Sequence, residues 1–142
     1  MRQTNKMKVV LDTNVLLVSL PPRSPYRPIF EKLLDGSYSL VISNEILAEY
    51  EEKIAERYDV QTVRELLELF VILPNVHHIT PYFRWRLIIS DPDDDKFSDA
   101  AISANVDYLV TNDKHFNVLN AIDFPKVTIC RAKEFRTIVL GE

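Results

Sequence analysis

Glycine and cysteine are scarce in this chain, and each shortage excludes a class of function. The only glycines are Gly36 and Gly141, far apart in the sequence. A dinucleotide-binding fingerprint or a phosphate-binding P-loop needs several glycines close together, so both are excluded. Cys130 is the single cysteine, which excludes an internal disulfide and a cysteine-rich zinc site. One cysteine is typical of a reducing compartment, and we expect a cytoplasmic protein.

Long apolar runs are also missing. No stretch approaches the roughly 18 consecutive apolar residues that indicate a membrane span. Residues 1–6 are polar and lack the apolar core of a signal peptide, so we expect them to form a short tail. With 46% hydrophobic residues, the chain can bury a core. We therefore predict one domain over residues 7–142 that makes no membrane contact.

Predicted strands and helices alternate along the chain. Runs of β-branched residues predict strands, and apolar residues spaced three or four apart predict helices. The predicted strands are 8–12, 38–42, 76–79, 107–111 and 127–130. The predicted helices are 28–35, 43–58, 60–73, 96–105 and 132–139, while 82–89 fits either type. This alternation predicts an α/β domain with a central parallel sheet flanked by helices.

Aspartates are concentrated where predicted strands end and where one helix begins. Asp12 ends the first predicted strand, and Asp113 follows the fourth. Further aspartates lie around the start of helix 96–105, namely Asp91, Asp93, Asp94, Asp95 and Asp99. The carboxyl ends of parallel strands lie at one edge of a sheet, where α/β proteins bind ligands. These acids therefore predict one site assembled from distant parts of the chain.

Taken singly, these acids have two explanations that stay open. Asp12 and Asp113 suit turns or helix caps, and the carboxylates at 91–95 suit the amino end of a helix. The cluster is not an EF-hand, because Lys96 and Ile102 stand where that loop needs glycine and glutamate. If the acids bind a metal instead, an all-oxygen ligand set selects Mg²⁺ or Mn²⁺.

The positions of the histidines bear on which metal the chain can bind, and its net charge bears on whether it binds nucleic acid. His77 and His78 are adjacent and would point to opposite faces of a strand, and His115 stands alone, so we predict no zinc site. The net charge of −4 is unlike that of a protein that coats nucleic acid. If four acids are metal ligands, the other charged residues have no net charge (−4 + 4 = 0). A nucleic-acid substrate that binds through a metal is therefore compatible with this sequence.

One segment combines aromatic and basic residues outside the acidic cluster. Residues 82–86 read Tyr-Phe-Arg-Trp-Arg. Such a patch is suited to stacking against bases or to contact with a protein partner. We expect instead that Trp85, the single tryptophan, packs in the core.

Four segments together resemble the motifs of PIN domains, a family of metal-dependent ribonucleases. They are VVLDTNVL (9–16), SNEILAEY (43–50), DPDDDKF (91–97, followed by alanines at 100 and 101) and DYLVTND (107–113). Their order and spacing carry the resemblance from Met7 to the last predicted helix. The chain most resembles the bacterial branch of toxins from toxin–antitoxin pairs.

The resemblance implies a three-layer fold and a site for Mg²⁺ or Mn²⁺. The implied ligands, which are also the catalytic residues, are Asp12, Glu49, Asp95 and Asp113. Asp99 is a candidate helper, and the third ligand stays open among Asp91, Asp94 and Asp95. The candidates for positioning the substrate are Asn14, Ser43, Thr111 and Lys114, with Arg23 as a further phosphate contact.

The implied activity is hydrolysis of phosphodiester bonds in RNA, with a protein antitoxin and a second copy of the chain as implied partners. One alternative is an inactive PIN-like module that binds RNA or protein. The four acids that match the motifs weigh against it. A structure-specific DNA nuclease is a second alternative, although the chain has no room for the additional elements that such enzymes use.

Overall fold

The computed structural model describes residues 6–88 and 91–142, so most of the predicted tail lies outside the described residues. The strands are β1 (Lys8–Leu11), β2 (Ser39–Ile42), β3 (Val76–His78), β4 (Tyr108–Val110) and β5 (Ile129–Cys130). The α-helices are α1 (Thr13–Ser19), α2 (Arg27–Leu34), α3 (Asn44–Arg57), α4 (Val60–Ile72), α5 (Asp95–Ser103) and α6 (Ala132–Leu140). Two 3₁₀ helices cover Pro92–Asp94 and Lys114–Ala121.

The five strands form one parallel sheet in the order β3-β2-β1-β4-β5. β1 lies in the centre, and its residues Val9 and Val10 are fully buried because both faces of the strand are covered. The chain runs outward from β1 to β3 and then returns to β4 on the other side of β1. This change of direction opens a crevice at the carboxyl ends of β1 and β4. The expected three-layer α/β fold is confirmed.

Helix α3 forms as its sequence pattern predicts. Ser43 caps it, since its Oγ accepts a hydrogen bond from the Ile46 N–H at 3.3 Å. Ile46, Tyr50 and Ile54 recur every three or four residues and are all buried. The Tyr50 hydroxyl also donates to the Leu11 carbonyl at 2.5 Å, which attaches α3 to the end of β1.

A buried asparagine joins α2 to two strands. Asn75 Nδ2 donates to the Leu33 carbonyl at 2.9 Å and to the Tyr38 carbonyl at 2.7 Å. The Tyr38 hydroxyl in turn donates to the Ile29 carbonyl at 2.6 Å. These side-chain hydrogen bonds to buried backbone carbonyls connect the end of α2 with the start of β2.

Three features differ from the sequence-based expectations. Helix α1 follows Asp12 directly, whereas no helix was expected there. Residues 114–121 form a 3₁₀ helix that was also not expected. Residues 82–88, from the segment that fits either type, are in neither a helix nor a strand, and Ile89 lies outside the described residues.

The expectation that Trp85 packs in the core is wrong, because its ring contacts Phe83 and Phe124, which are both exposed. Within residues 6–88 and 91–142, the helices are all too short or too polar to span a membrane.

Candidate metal centre

The carboxyl ends of β1 and β4 bring Asp12 and Asp113 together through Thr111. The Thr111 hydroxyl donates to Asp12 Oδ2 at 2.7 Å, and its oxygen accepts from the Asp113 N–H at 3.0 Å. The Asp12 N–H also donates to the Val110 carbonyl at 2.9 Å. Although Asp12 precedes α1, its side chain makes no capping hydrogen bond to that helix. Its carboxylate is therefore held by Thr111 at the end of β4.

Glu49 reaches the same crevice from α3. Its Oε2 accepts a hydrogen bond from the Thr13 hydroxyl, one residue after Asp12. Its Oε1 lies 2.8 Å from Lys96 Nζ in a salt bridge whose side chains are only 22% and 14% exposed. The sequence analysis did not single out Lys96. Its position directly after the acidic run was the available signal, but surface lysines are usually only solvated.

The crevice raises the pKa of Asp12. Burial, which leaves the residue 7% exposed, is the main cause and raises the pKa to about 6. The hydrogen bond from Thr111 opposes this shift, while the negative charges of Glu49 and Asp113 add to it. The three carboxylates are thus close enough to repel one another, as acids around a cation site do.

Asp94 belongs to the same group of acids. Burial raises its pKa to about 7, and the charges of Asp91, Asp113 and Asp12 contribute. Its Oδ2 is buried and has no hydrogen-bond partner among the described residues. His115 Nδ1 lies 3.6 Å from this oxygen, 3.7 Å from Asp91 Oδ2 and 3.5 Å from Asp113 Oδ1. A buried carboxylate oxygen without a donor needs a cation or a proton.

His115 therefore lies beside the acids, although the sequence analysis set it aside as isolated. Ligand atoms of Asp91, Asp94 and His115 all lie within 4.8 Å of one another. Asp91 also forms the expected turn, because its Oδ1 accepts from the Asp93 N–H at 3.2 Å.

Asp95 and Asp99 have different neighbours. Asp95 Oδ1 accepts from the Ile88 N–H at 2.9 Å, and Asp99 Oδ1 accepts from the Trp85 N–H at 3.0 Å. Consecutive residues at the start of a helix point about 100° apart, so when Asp94 faces the crevice Asp95 does not. Both acids hold the segment before residue 89 against α5. Asp94 therefore interacts with Asp12 and Asp113 through its charge, whereas the hydrogen bond that Asp95 accepts comes from the Ile88 N–H.

The candidates for substrate positioning fall into two kinds. Ser43 and Thr111 are buried, and their hydroxyls are used within the protein. Asn14 and Lys114 are exposed, and each lies within two residues of an acid of the site. Arg23 is exposed in the loop between α1 and α2.

The donor set fits a hard divalent cation. The gathered atoms are carboxylate oxygens together with His115 Nδ1, and one of the oxygens, Asp94 Oδ2, is buried without a donor among the described residues. Mg²⁺ and Mn²⁺ prefer such oxygen ligands. Among the described residues, the donors close enough to share an ion are those of Asp91, Asp94 and His115, and the charges of Asp12 and Asp113 also act on Asp94.

Comparisons with known proteins agree with this architecture. The PIN domain family model matches residues 8–115, more than half of the chain. This chain is similar to VapBC2 from Rickettsia felis in a crystal structure that contains a DNA fragment from the VapBC2 promoter. The TM-score is 0.59 and the identity is 20%, and the match covers 88% of this chain and 98% of that chain. VapBC-1 from nontypeable Haemophilus influenzae is similar with a TM-score of 0.60 and 18% identity, covering 89% and 99%. Curated protein sequences gave no significant match.

Proposed function

The chain belongs to the PIN-domain family, and from this premise we propose that it is a divalent-metal-dependent endoribonuclease that hydrolyses phosphodiester bonds of RNA. The observation that carries the proposal is the buried Oδ2 of Asp94, which lacks a donor and lies among other carboxylates. Such crowding is unfavourable unless a cation or a proton is bound. A metal held by acids can activate a water molecule and stabilise the leaving oxygen of a phosphodiester.

In this proposal, Asp12, Glu49, Asp94 and Asp113 hold Mg²⁺ or Mn²⁺. The bound metal would supply Lewis acidity, which lowers the pKa of a water molecule and offsets charge on the phosphate. Thr111 keeps the Asp12 carboxylate in one orientation through its 2.7 Å hydrogen bond. A carboxylate of the set, Glu49 or Asp113, would accept the proton from the attacking water.

Lys96 has a second role in the proposal. It holds Glu49 at 2.8 Å and donates to the Asp93 carbonyl at 2.7 Å, so the ammonium group is fixed at the edge of the crevice. A fixed cation at this place can attract a phosphate group of the substrate. Asn14 and Lys114 are exposed near the acids and would contact the substrate as well.

We further propose that the chain is the toxin of a toxin–antitoxin pair and acts in the cytoplasm. The support is the likeness to chains of VapBC toxin–antitoxin complexes, including a DNA-bound VapBC from Salmonella typhimurium with a TM-score of 0.57 and 17% identity, covering 89% of this chain and 98% of that chain. The partner would be a protein antitoxin, and a homodimer is the expected assembly. Growth arrest on induction, relieved by the product of a neighbouring gene, would test this; unaffected growth would contradict it.

Cleavage assays separate this proposal from its alternatives. Labelled RNA and DNA oligonucleotides are incubated with the full chain in Mg²⁺, Mn²⁺ or EDTA. We expect cleavage of RNA, none in EDTA, and loss of activity in Glu49→Gln. The matched control is Glu68→Gln on the exposed face of α4, which should retain full activity. Cleavage of DNA alone would favour a DNA nuclease, and binding without cleavage would favour an inactive module.

A further inference from the structure

Aromatic side chains from two distant loops meet on the surface near the crevice. The rings of Phe83 and Trp85 have centroids 4.5 Å apart, and those of Trp85 and Phe124 are 6.3 Å apart and nearly perpendicular. Phe83 is 62% exposed and Phe124 is 84% exposed. Exposed aromatic clusters indicate binding surfaces more often than folding requirements. We call Phe83, Trp85 and Phe124 the aromatic platform.

The aromatic platform is attached to the helix that follows the proposed metal ligand. The Trp85 N–H donates to Asp99 Oδ1, and Asp99 is buried in α5. The Ile88 N–H donates to Asp95 Oδ1 at the first residue of the same helix, next to Asp94. Through these two hydrogen bonds, Asp95 and Asp99 fix the position of the aromatic segment relative to the site.

Two adjoining grooves lie between the arginines of this segment and Glu49. Arg84 and Arg86 alternate with the aromatic residues and line a groove of about 420 Å³. An adjoining groove of about 530 Å³ includes Glu49. The two grooves share three lining residues, which are Glu45, Asp93 and Lys96. The aromatic platform is therefore next in sequence to the arginines of the first groove, and the second groove extends from there to Glu49.

We propose that the aromatic platform binds bases of single-stranded RNA as the strand enters the groove. This inference rests on the proposed function and names how its substrate is held. The first groove is lined by three basic and four acidic side chains, and Arg84 is already paired with Glu45 at 3.0 Å. In a chain of net charge −4, phosphate attraction is therefore a weak source of affinity. Stacking on aromatic rings needs no net charge and accepts every base, but only when the bases are unpaired.

Fluorescence provides a direct test, because Trp85 is the only tryptophan. The full chain with Asp12→Asn, which prevents turnover, is titrated with single-stranded RNA in Mg²⁺. We expect saturable quenching of Trp85 emission by single-stranded RNA and much less by duplex RNA of the same sequence. Phe124→Ala should raise the Kd by about fivefold or more. The matched control is Tyr82→Ala, a change at a 93% exposed neighbour that is not part of the aromatic platform.

Cleavage kinetics distinguish this inference from the proposed function. In the otherwise native chain, Phe124→Ala should raise KM and leave kcat nearly unchanged, since the ring holds substrate away from the reacting phosphate. Quenching without any metal-dependent cleavage would support the aromatic platform and contradict the nuclease. Cleavage with an unchanged KM in Phe124→Ala, or RNA binding that leaves Trp85 emission unaltered, would overturn the aromatic platform. An unchanged RNA affinity together with weakened binding of a purified antitoxin would also overturn it.

Discussion

Asp12→Asn changes the charge of the proposed metal centre while preserving its shape. The amide has nearly the same size as the carboxylate, and its oxygen can still accept the 2.7 Å hydrogen bond from Thr111. The backbone bond from the Asp12 N–H to the Val110 carbonyl does not involve the side chain. We therefore expect the variant to fold, to lose metal affinity and RNA cleavage, and to be more stable than the native chain when metal is absent.

The size of the stability gain follows from the pKa of Asp12, which is raised from 3.8 to about 6 in the folded chain. A raised folded-state pKa means that the folded protein binds the proton more tightly than the unfolded chain does. The resulting stability is fully present below about pH 4 and is lost as the pH rises through about 6. The shift corresponds to about 3 kcal/mol, which is the upper limit of the gain in Asp12→Asn at about pH 8. Near pH 4 the gain should approach zero.

Urea denaturation in EDTA, followed by far-UV circular dichroism, measures this gain at both pH values. Thermal unfolding with Mn²⁺ then measures binding: at a metal concentration 100 times the Kd, the native chain should gain roughly 5–10 °C in Tm, and the variant much less. A variant less stable than the native chain at about pH 8, or a difference that does not change with pH, would refute the electrostatic argument. Full RNase activity of Asp12→Asn in excess metal would refute the site.

Three further predictions concern single side chains. Asp94→Asn should abolish RNA cleavage and also the Mn²⁺ binding measured by calorimetry, while Asp95→Asn should keep most of both. The reverse result would make Asp95 the third ligand. Lys96→Met should bind Mn²⁺ more tightly, because a cation next to Glu49 is removed. The variant should nevertheless cleave RNA at least about tenfold more slowly, because a phosphate contact is lost. Weaker metal binding would contradict the pairing of Lys96 with Glu49. Asn75→Ala should lower the free energy of unfolding by about 2 kcal/mol without altering Mn²⁺ affinity, because two buried hydrogen bonds are lost. A change below about 0.5 kcal/mol in urea denaturation would contradict this.

Local sequence patterns predicted most of the elements because their signals are strong over short distances. The run before Asp12 is apolar on both faces, as a central parallel strand requires, and the spacing of buried residues in α3 matches one helix face. Helix α1 was missed because it has only seven residues, begins immediately after a strand and lacks a side-chain cap. The 3₁₀ helix over 114–121 has no distinctive sequence signal.

The sequence by itself determined which acids follow strand ends, and the tertiary structure decided which side chains lie beside them. Strand ends are defined by the sequence, so acids such as Asp12 and Asp113 could be assigned to one edge of the sheet in advance. The choice between Asp94 and Asp95 depends on the rotational register of α5, and neighbouring positions in a run of aspartates carry no signal for that rotation. The pairing of Lys96 with Glu49 and the meeting of Trp85 with Phe124 join residues far apart in the chain. Such contacts arise from packing between elements, and local propensity and periodicity do not encode them.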